Sequence, residues 1–336
     1  NGGPLEGGTA GTDRANSGKG VGGGRKEGET RYTRAGNLRL DKEGNPVDPG
    51  GYPLVARPIV NGGTQNQGEG VKLDTIGDGS GATHPSKATS SVKLSSNLGG
   101  MADNVENAAN PFFAMIQNWN GQVDPPLGKG DTGFSEPIKV YDNNGNAHTL
   151  TVRYDYVGME NGHKVYEYSV GIPPGEDGSA NAGTKGAGLL MAGTLTFSSN
   201  GSMVGMTAFT PTGSDPSDLS AWTPAALVNG VPSFTANFAG SGEQNITLDL
   251  GLKMNNGWSS GINSPQDGAT NPAAFYSTMS GIERDRLSST SYGTSPVSRQ
   301  QSQDGYPVGD LADLSIDSEG VITARYTNGE SQDLYQ

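Results

Sequence analysis

One short pattern recurs along this chain and limits what it can fold into. An apolar or aromatic residue is followed by Asp or Ser, two further residues, Gly, and then a second extended run. It appears as Leu40-Asp41-Lys42-Glu43-Gly44, Tyr141-Asp142-Asn143-Asn144-Gly145, Phe197-Ser198-Ser199-Asn200-Gly201 and Ile316-Asp317-Ser318-Glu319-Gly320. In such a turn the Asp or Ser oxygen bonds nearby backbone, and Gly supplies a positive φ at no steric cost. Each copy reverses the chain between short strands. The spacing is irregular, so this is one turn chemistry reused rather than a solenoid repeat.

The segments between these turns read as strands. Arg31–Arg34 is short, and Asn37–Leu40 alternates so that Leu38 and Leu40 share a face. Further strands are expected over Pro53–Val60 and over Thr89–Leu98, with Val92 and Leu94 on one face. The clearest sheet runs from Ile138 to Ile172. Leu150, Val152, Tyr154 and Tyr156 alternate along one strand, and Asn161-Gly162 marks a hairpin before Lys164–Val170. Leu189–Phe197, Met203–Phe209, Phe234–Phe238, Asn245–Leu250, Leu311–Ile316 and Val321–Tyr326 complete the set, with Asn200-Gly201 and Asn328-Gly329 at turns. Met101–Trp119, broken by Pro111, is expected to hold one or two short helices, and Ala273–Tyr276 is a short apolar run. Many short strands with Gly and Asn turns predict an all-β chain of sandwich or barrel type.

Composition narrows the function. The 336 residues carry a net charge of −13 and a pI near 4.6. That argues against non-specific binding to nucleic acid or to an anionic membrane surface, both of which run on basic patches. Cysteine is absent, which removes disulfides, thiol catalysis and thiolate metal sites. No run of about 18 apolar residues is present, the length a membrane-spanning helix needs. With 54 glycines and 20 prolines and only 32% hydrophobic residues, the chain is lean in core-forming side chains, yet these cluster in the runs above. Residues 1–30 hold eleven glycines and only Leu5 and Val21 as strongly apolar residues, which is loop chemistry.

Motifs of chemistry fail on their context. Gly18-Lys19-Gly20-Val21-Gly22-Gly23 has dinucleotide-binding spacing but neither the preceding strand nor the following helix that the mechanism needs. Gly257-Trp258-Ser259-Ser260-Gly261 resembles a nucleophile elbow, yet His84, His148 and His163 all precede it, whereas that motif needs its His downstream. Asp142, Asn144 and Asn146 match positions 1, 3 and 5 of a calcium loop, but Ala147 and Arg153 stand where Gly and Glu belong. A hairpin turn is the better reading. The histidines are too scattered for a metal site, and His148 is expected on the polar face of its strand. Trp119, Trp222 and Trp258 are expected in cores or interfaces more than on a sugar-binding face. No catalytic, cofactor or metal residue is assigned.

Segments at opposite ends carry a resemblance. Glu29–Val47, with Tyr32, Arg34, Gly36, Asp41 and Gly44, resembles the Y-T/S-R-x-G-x-F/L-x-L-D-x-x-G-x-L/V stretch of bacterial flagellar rod and hook proteins. Ala35 departs from the usual Asp or Asn, and Pro46 enters the second strand. Ser302, Gln303, Asp304, Gly305, Tyr306, Gly309 and Leu311, followed by Asp317, Gly320, Tyr326, Asn328 and Gly329, are similar to the S-Q-D-G-Y-x-x-G-x-L…I-D-x-x-G-x-V-x-x-x-Y-S/T-N-G signature of the hook members. Tyr141, Asp142, Gly145, Asn146 and His148 resemble the V-Y-D-S-x-G-N-x-H that opens their inserted outer domain.

The resemblance implies a discontinuous inner β-domain, 1–131 with 285–336, and an outer β-domain, 132–284, inserted into it. Residues 1–28 would be a Gly-rich loop insertion, and the chain would be a piece of a longer protein, lacking the terminal helices that build the inner tube. It implies a structural, extracellular role without catalysis or cofactor: a subunit of the flexible tubular hook that transmits torque from rod to filament. Its partners would be copies of itself and the rod and hook–filament junction proteins. It implies no nucleic-acid or membrane partner, and the fragment alone would be monomeric. A distal rod protein, a glycan-binding adhesin with an aromatic-lined concave site, and a glycoside hydrolase stand as alternatives.

Overall fold

The computed structural model describes residues 38–42, 45–56, 59–60, 63–64, 69–70, 83–101, 111–128 and 130–336. The expected Gly-rich loop, the strand 31–34, the 18–23 motif, Tyr32, Arg34, Gly36, Gly44, the side chain of Leu40 and residues 102–110 of the expected helical stretch lie outside them. The described residues fall into two compact units: those up to Thr83 together with 311–336, and those within 84–310. Nearly all the regular structure is β, as the recurring turn requires.

The larger unit is built on two sheets. Its strands are β1 (Ser91–Asn97), β2 (Phe134–Tyr141), β3 (Ala147–Glu160), β4 (His163–Gly171), β5 (Leu189–Phe197), β6 (Met203–Met206), β7 (Phe209–Pro211), β8 (Trp222–Pro224), β9 (Ala226–Val228), β10 (Val231–Phe238), β11 (Gly242–Asp249) and β12 (Val297–Gln303). The first sheet has the order β8-β7-β5-β4-β3-β2, with β6 also on β5, all antiparallel. The second has the order β9-β10-β11-β1-β12, in which only the β11–β1 pair is parallel. Their apolar faces share one buried cluster that includes Val92, Leu94, Val152, Tyr168, Phe234 and Leu248, each at most 2% exposed. Burial of such side chains is the main favourable term holding the two sheets together.

The other face of the first sheet is covered as well. Short helices α1 (Ala114–Asn118) and α2 (Pro265–Thr270), with the 3-10 turn Pro272–Tyr276, cover β4 and β5 through Phe113, Ile116, Trp119 and Phe275, which meet Phe209 and Trp222. Phe113 stands edge-on to Phe209 and to Phe275, at 5.9 Å in each case, the geometry aromatic quadrupoles favour. Polar side chains of the strands anchor these coverings. Glu167, 1% exposed, accepts the Met115 N–H at 3.0 Å, and Thr196 Oγ1 donates to the Phe275 carbonyl at 2.6 Å. Of the expected helical stretch 101–119, α1 is the helical part among the described residues.

Several expectations shift. Met203–Phe209 divides into β6 and β7, because the Thr207 N–H and hydroxyl turn to Thr194. The alternation of Leu150, Val152, Tyr154 and Tyr156 holds, with Tyr156 half-buried against the same core, and Val157 on the opposite face enters the second core where the ladder bulges between Tyr156 and Gly158. Short or polar strands such as β8, β9 and β12 escape the pattern reading.

The expected domain limits at 131/132 and 284/285 cut the second sheet, separating β1 and β12 from β11 and β10. The compact division falls instead at 83/84 and 310/311, because a hydrogen-bonded ladder joins Thr247–Asp249 to Ser91–Lys93 and Gln303 to Val92.

In the smaller unit, β13 (Gly309–Ile316), β14 (Ile322–Tyr326) and β15 (Ser331–Tyr335) form an antiparallel meander. Ile322, Ala324, Tyr326, Leu334 and Tyr335 pack with Ala56 into a small core of their own.

The recurring turn has one geometry. At Asp142 and at Asp317 the carboxylate accepts the N–H groups of the second and fourth residues ahead, at 2.8–2.9 Å. The Asp N–H bonds the carbonyl of the fourth residue, and Gly145 (φ 82°) and Gly320 (φ 86°) occupy the left-handed region. Ser198 keeps the backbone bonds, and Asn200 supplies the side-chain oxygen to Ser202 N–H.

Candidate functional site: the junction of the signature segments

Two signature segments that are distant in sequence meet where the chain enters and leaves the larger unit. The incoming segment 84–90 leads into β1, and the outgoing segment 303–310 follows β12. Lys87 and Tyr306 exchange both backbone bonds at 2.9 Å, closing an antiparallel bridge between the two. The His84 and Tyr306 rings lie 5.5 Å apart beside it.

Each residue of Ser302–Tyr306 has a physical task here. Ser302 sits in β12 opposite Lys93. Gln303 Oε1 accepts the Thr89 hydroxyl at 2.8 Å and the Gly305 N–H at 2.6 Å. Asp304 closes the start of β1: its carboxylate accepts Ser90 N–H (2.8 Å), Ser91 N–H (2.9 Å) and Ser90 Oγ (2.8 Å), and pairs with Lys87 Nζ at 3.0 Å. Burial would raise its pKa, but these donors outweigh burial and hold it at about 2. Gly305 must lack a side chain, since a Cβ there would lie 2.4 Å from Thr89 Oγ1 and 2.7 Å from Thr89 N.

Thr89 joins this segment to the other. Its N–H donates to the Tyr141 carbonyl at 2.9 Å, and its Oγ1 accepts the Tyr141 N–H at 2.9 Å while donating to Gln303. Gln244 Nε2 then bonds the carbonyls of both Thr89 and Tyr141 at 3.1 Å. The turn after Tyr141 docks against its surroundings. A Cβ on Gly145 would meet Ser86 Cβ at 2.6 Å. Asn143 and Asn144 donate to the carbonyls of Ser241, Glu243 and Gly240.

Asp142 is 1% exposed. Burial opposes its charge, but bonds from Asn146, His148 and Asn144 more than compensate and lower its pKa. Its oxygens are taken by Asn144 N–H, Asn146 N–H, Asn146 Nδ2 and His148 Nε2, so the 142–146 turn serves the hairpin rather than a calcium ion. His148 corrects an expectation. It lies two residues from Leu150 and therefore on the same face, half-buried. Its ring stacks on Phe238 at 4.1 Å and bridges Asp142 (3.2 Å) to Glu176 (2.7 Å).

The remaining signature residues lie elsewhere. Gly309 is buried at the start of β13. Leu311 and Tyr326 pack in the smaller core. Asp317 with Gly320 and Asn328 with Gly329 make the turns of the meander, and Asp41 accepts both Asn45 nitrogens at 2.8 Å. The three tryptophans are internal: Trp119 and Trp222 are 2% exposed, and half-buried Trp258, inside the 257–261 turn, donates to the Ala225 carbonyl at 2.7 Å. Among the described residues no group of three or more His, Cys, Asp or Glu is arranged to hold a metal ion. Sequence reading missed Lys87, Thr89, Gln244 and Glu176, because nothing local to them marks a junction partner.

Over 321 residues the chain is 24% identical to the flagellar hook protein FlgE of Treponema pallidum (strain Nichols), covering 93% of this chain and 58% of that one. The chain thus spans little more than half the length of that relative. The crystal structure of the Helicobacter pylori flagellar hook protein FlgE2 aligns over 90% of this chain and 80% of its own, with 12% identity and a TM-score of 0.40. Residues 118–306 match the family described as flagellar basal body protein FlaE D2 domain. That match covers more than half of the chain and takes in both signature segments of the junction up to Tyr306, and on it the chain belongs to the flagellar basal body protein FlaE D2 domain family.

Proposed function

We propose that this chain is a structural subunit of the flagellar hook, a short extracellular tube that couples rod to filament and transmits torque. The observation that carries the reading is the junction. The segments whose sequence resembles the hook signature fasten the incoming and outgoing chain to each other and to the first hairpin of the larger unit, through Asp304, Thr89 and Gln244. A subunit under torque must deform less than its contacts with neighbours. Two packed sheets, with side-chain hydrogen bonds tying the chain crossings together, meet that need. Contacts between copies must slide as a bent tube turns, which polar, hydrated surfaces permit better than apolar ones. Its partners in this reading are copies of itself and the rod and hook–filament junction proteins, and its role is not catalytic.

Immunogold electron microscopy of whole cells, with antibody raised against this chain, tests the proposal. Gold confined to the short curved segment between cell body and filament is expected. Gold spread over the cell surface would overturn it and turn attention to a glycan-binding adhesin.

A further inference from the structure

Seven Asn-Gly pairs lie among the described residues, at Asn120, Asn144, Asn161, Asn200, Asn229, Asn256 and Asn328. Asn-Gly is the dipeptide most open to spontaneous deamidation, because glycine leaves the attacking nitrogen uncrowded. In that reaction the glycine backbone nitrogen bonds to the asparagine Cγ. The carboxamide nitrogen departs as ammonia, taking up the proton the backbone nitrogen gives up. Water then opens the five-membered imide at either carbonyl, leaving aspartate or isoaspartate. The reaction needs no cofactor, only a glycine N–H free to lose its proton and a backbone free to turn.

The fold divides these seven pairs into two groups. In five the glycine N–H is already engaged: Gly121 to the Lys185 carbonyl (2.7 Å), Gly145 to Asp142 (3.0 Å), Gly201 to Ser198 (2.8 Å), Gly257 to Met254 (3.2 Å) and Gly329 to Tyr326 (3.0 Å). The recurring turn holds two of these five, at Asn144 and Asn200. In the other two, no hydrogen bond among the described residues engages the N–H of Gly162 or Gly230. Both sit in two-residue hairpins, Glu160–His163 and Val228–Val231, whose central residues all have positive φ: 52° and 81° at Asn161 and Gly162, 52° and 78° at Asn229 and Gly230. In such a hairpin the closing bond is made by the flanking pair, so the glycine N–H faces outward. Both asparagines are exposed. Asn161 is the freer of the two, since only Ser199 comes within 4 Å of a Cβ built on Gly162, whereas Gly230 lies against Lys253, Met254 and Asn255.

We propose that, of the Asn-Gly pairs among the described residues, Asn161 and Asn229 are the sites of spontaneous deamidation, Asn161 the faster, and that the Asp/Ser-x-x-Gly turns shield the asparagines within them. Each conversion adds a negative charge at an exposed hairpin tip of a chain that already carries −13.

The test is incubation of the folded whole chain at mildly alkaline pH, followed by peptide mapping for aspartate and isoaspartate at each position. Conversion at Asn161 and then Asn229 is expected. The five bonded pairs should lag by roughly fivefold, the factor that the net worth of one hydrogen bond, about 1 kcal/mol, represents. A second arm uses Asp142→Ala, which removes the carboxylate that stabilises the 142–146 turn. Conversion at Asn144 should then quicken while that at Asn161 stays unchanged, with circular dichroism showing that the variant is folded. If Asn144, Asn200 or Asn328 in the unaltered chain converts as fast as Asn161, the proposal is overturned, whatever the variant does.

Discussion

In the turns at Asp142–Asn146 and Asp317–Val321 an aspartate carboxylate accepts the same two backbone N–H groups, and a glycine with φ above 80° closes the loop. Around Asp317 little else happens: the residue is exposed, and a Cβ on Gly320 would meet nothing within 4 Å. Around Asp142 the same turn is enclosed. Its carboxylate also holds Asn146 Nδ2 and His148, its asparagines bond three carbonyls of another hairpin, and its glycine presses on Ser86. The difference teaches that the turn is a local device, whereas its weight in the structure is conferred by what packs on it.

Asp142→Ala should do the most damage. It leaves two N–H groups and His148 without a buried acceptor, at a cost of about 3 kcal/mol. Asp317→Ala should cost about 1 kcal/mol or less, because water replaces the carboxylate. Urea unfolding of the two variants measures both, and equal losses would break the comparison.

The glycines sharpen it next. Gly320→Ala carries only the left-handed penalty of about 1 kcal/mol. Gly145→Ala adds the overlap with Ser86 and should reach about 2–3 kcal/mol. Thermal melts of the pair read this out.

Acid titration addresses the junction. Asp304 is lowered from 3.8 to about 2 on folding. Its contribution is therefore complete above about pH 4 and fades as pH falls through 2. After allowance for solvent screening it is about 1–2 kcal/mol. Asp304→Asn should remove that part of the pH dependence. A slope unchanged between pH 4 and 2 would show that the carboxylate contributes nothing there.

Lys87→Met should do least. The Lys87–Asp304 pair is half exposed on the lysine side, and such pairs are worth about 0.5 kcal/mol, less in salt. A midpoint within error of the parent chain is the expected result, with the backbone bridge to Tyr306 intact.

Legibility followed the same division. Leu189–Phe197 is a strand over the expected limits, and Ser91–Asn97 lies within the expected 89–98, because apolar side chains there report burial directly. Val297–Gln303 gave no signal. Its residues Ser298, Arg299, Gln300, Gln301 and Ser302 face water or are only half-buried, and the strand exists because β1 offers it a backbone ladder. Glu167 and Thr196 are polar residues in buried strands, and only their bonds to Met115 N–H and the Phe275 carbonyl explain them.

What the sequence determined by itself is what acts within about five residues: the Asp/Ser-x-x-Gly turns, the hairpin at Asn161-Gly162, the alternation of apolar residues and hence the β class. Tertiary structure alone decided that β11 runs parallel to β1, that both faces of the first sheet are covered, and that Thr89 stands between Tyr141 and Gln303. These depend on groups separated by as many as 214 residues. A hydrogen bond between such groups depends on where the whole chain brings them, and neither residue carries a local mark of the other.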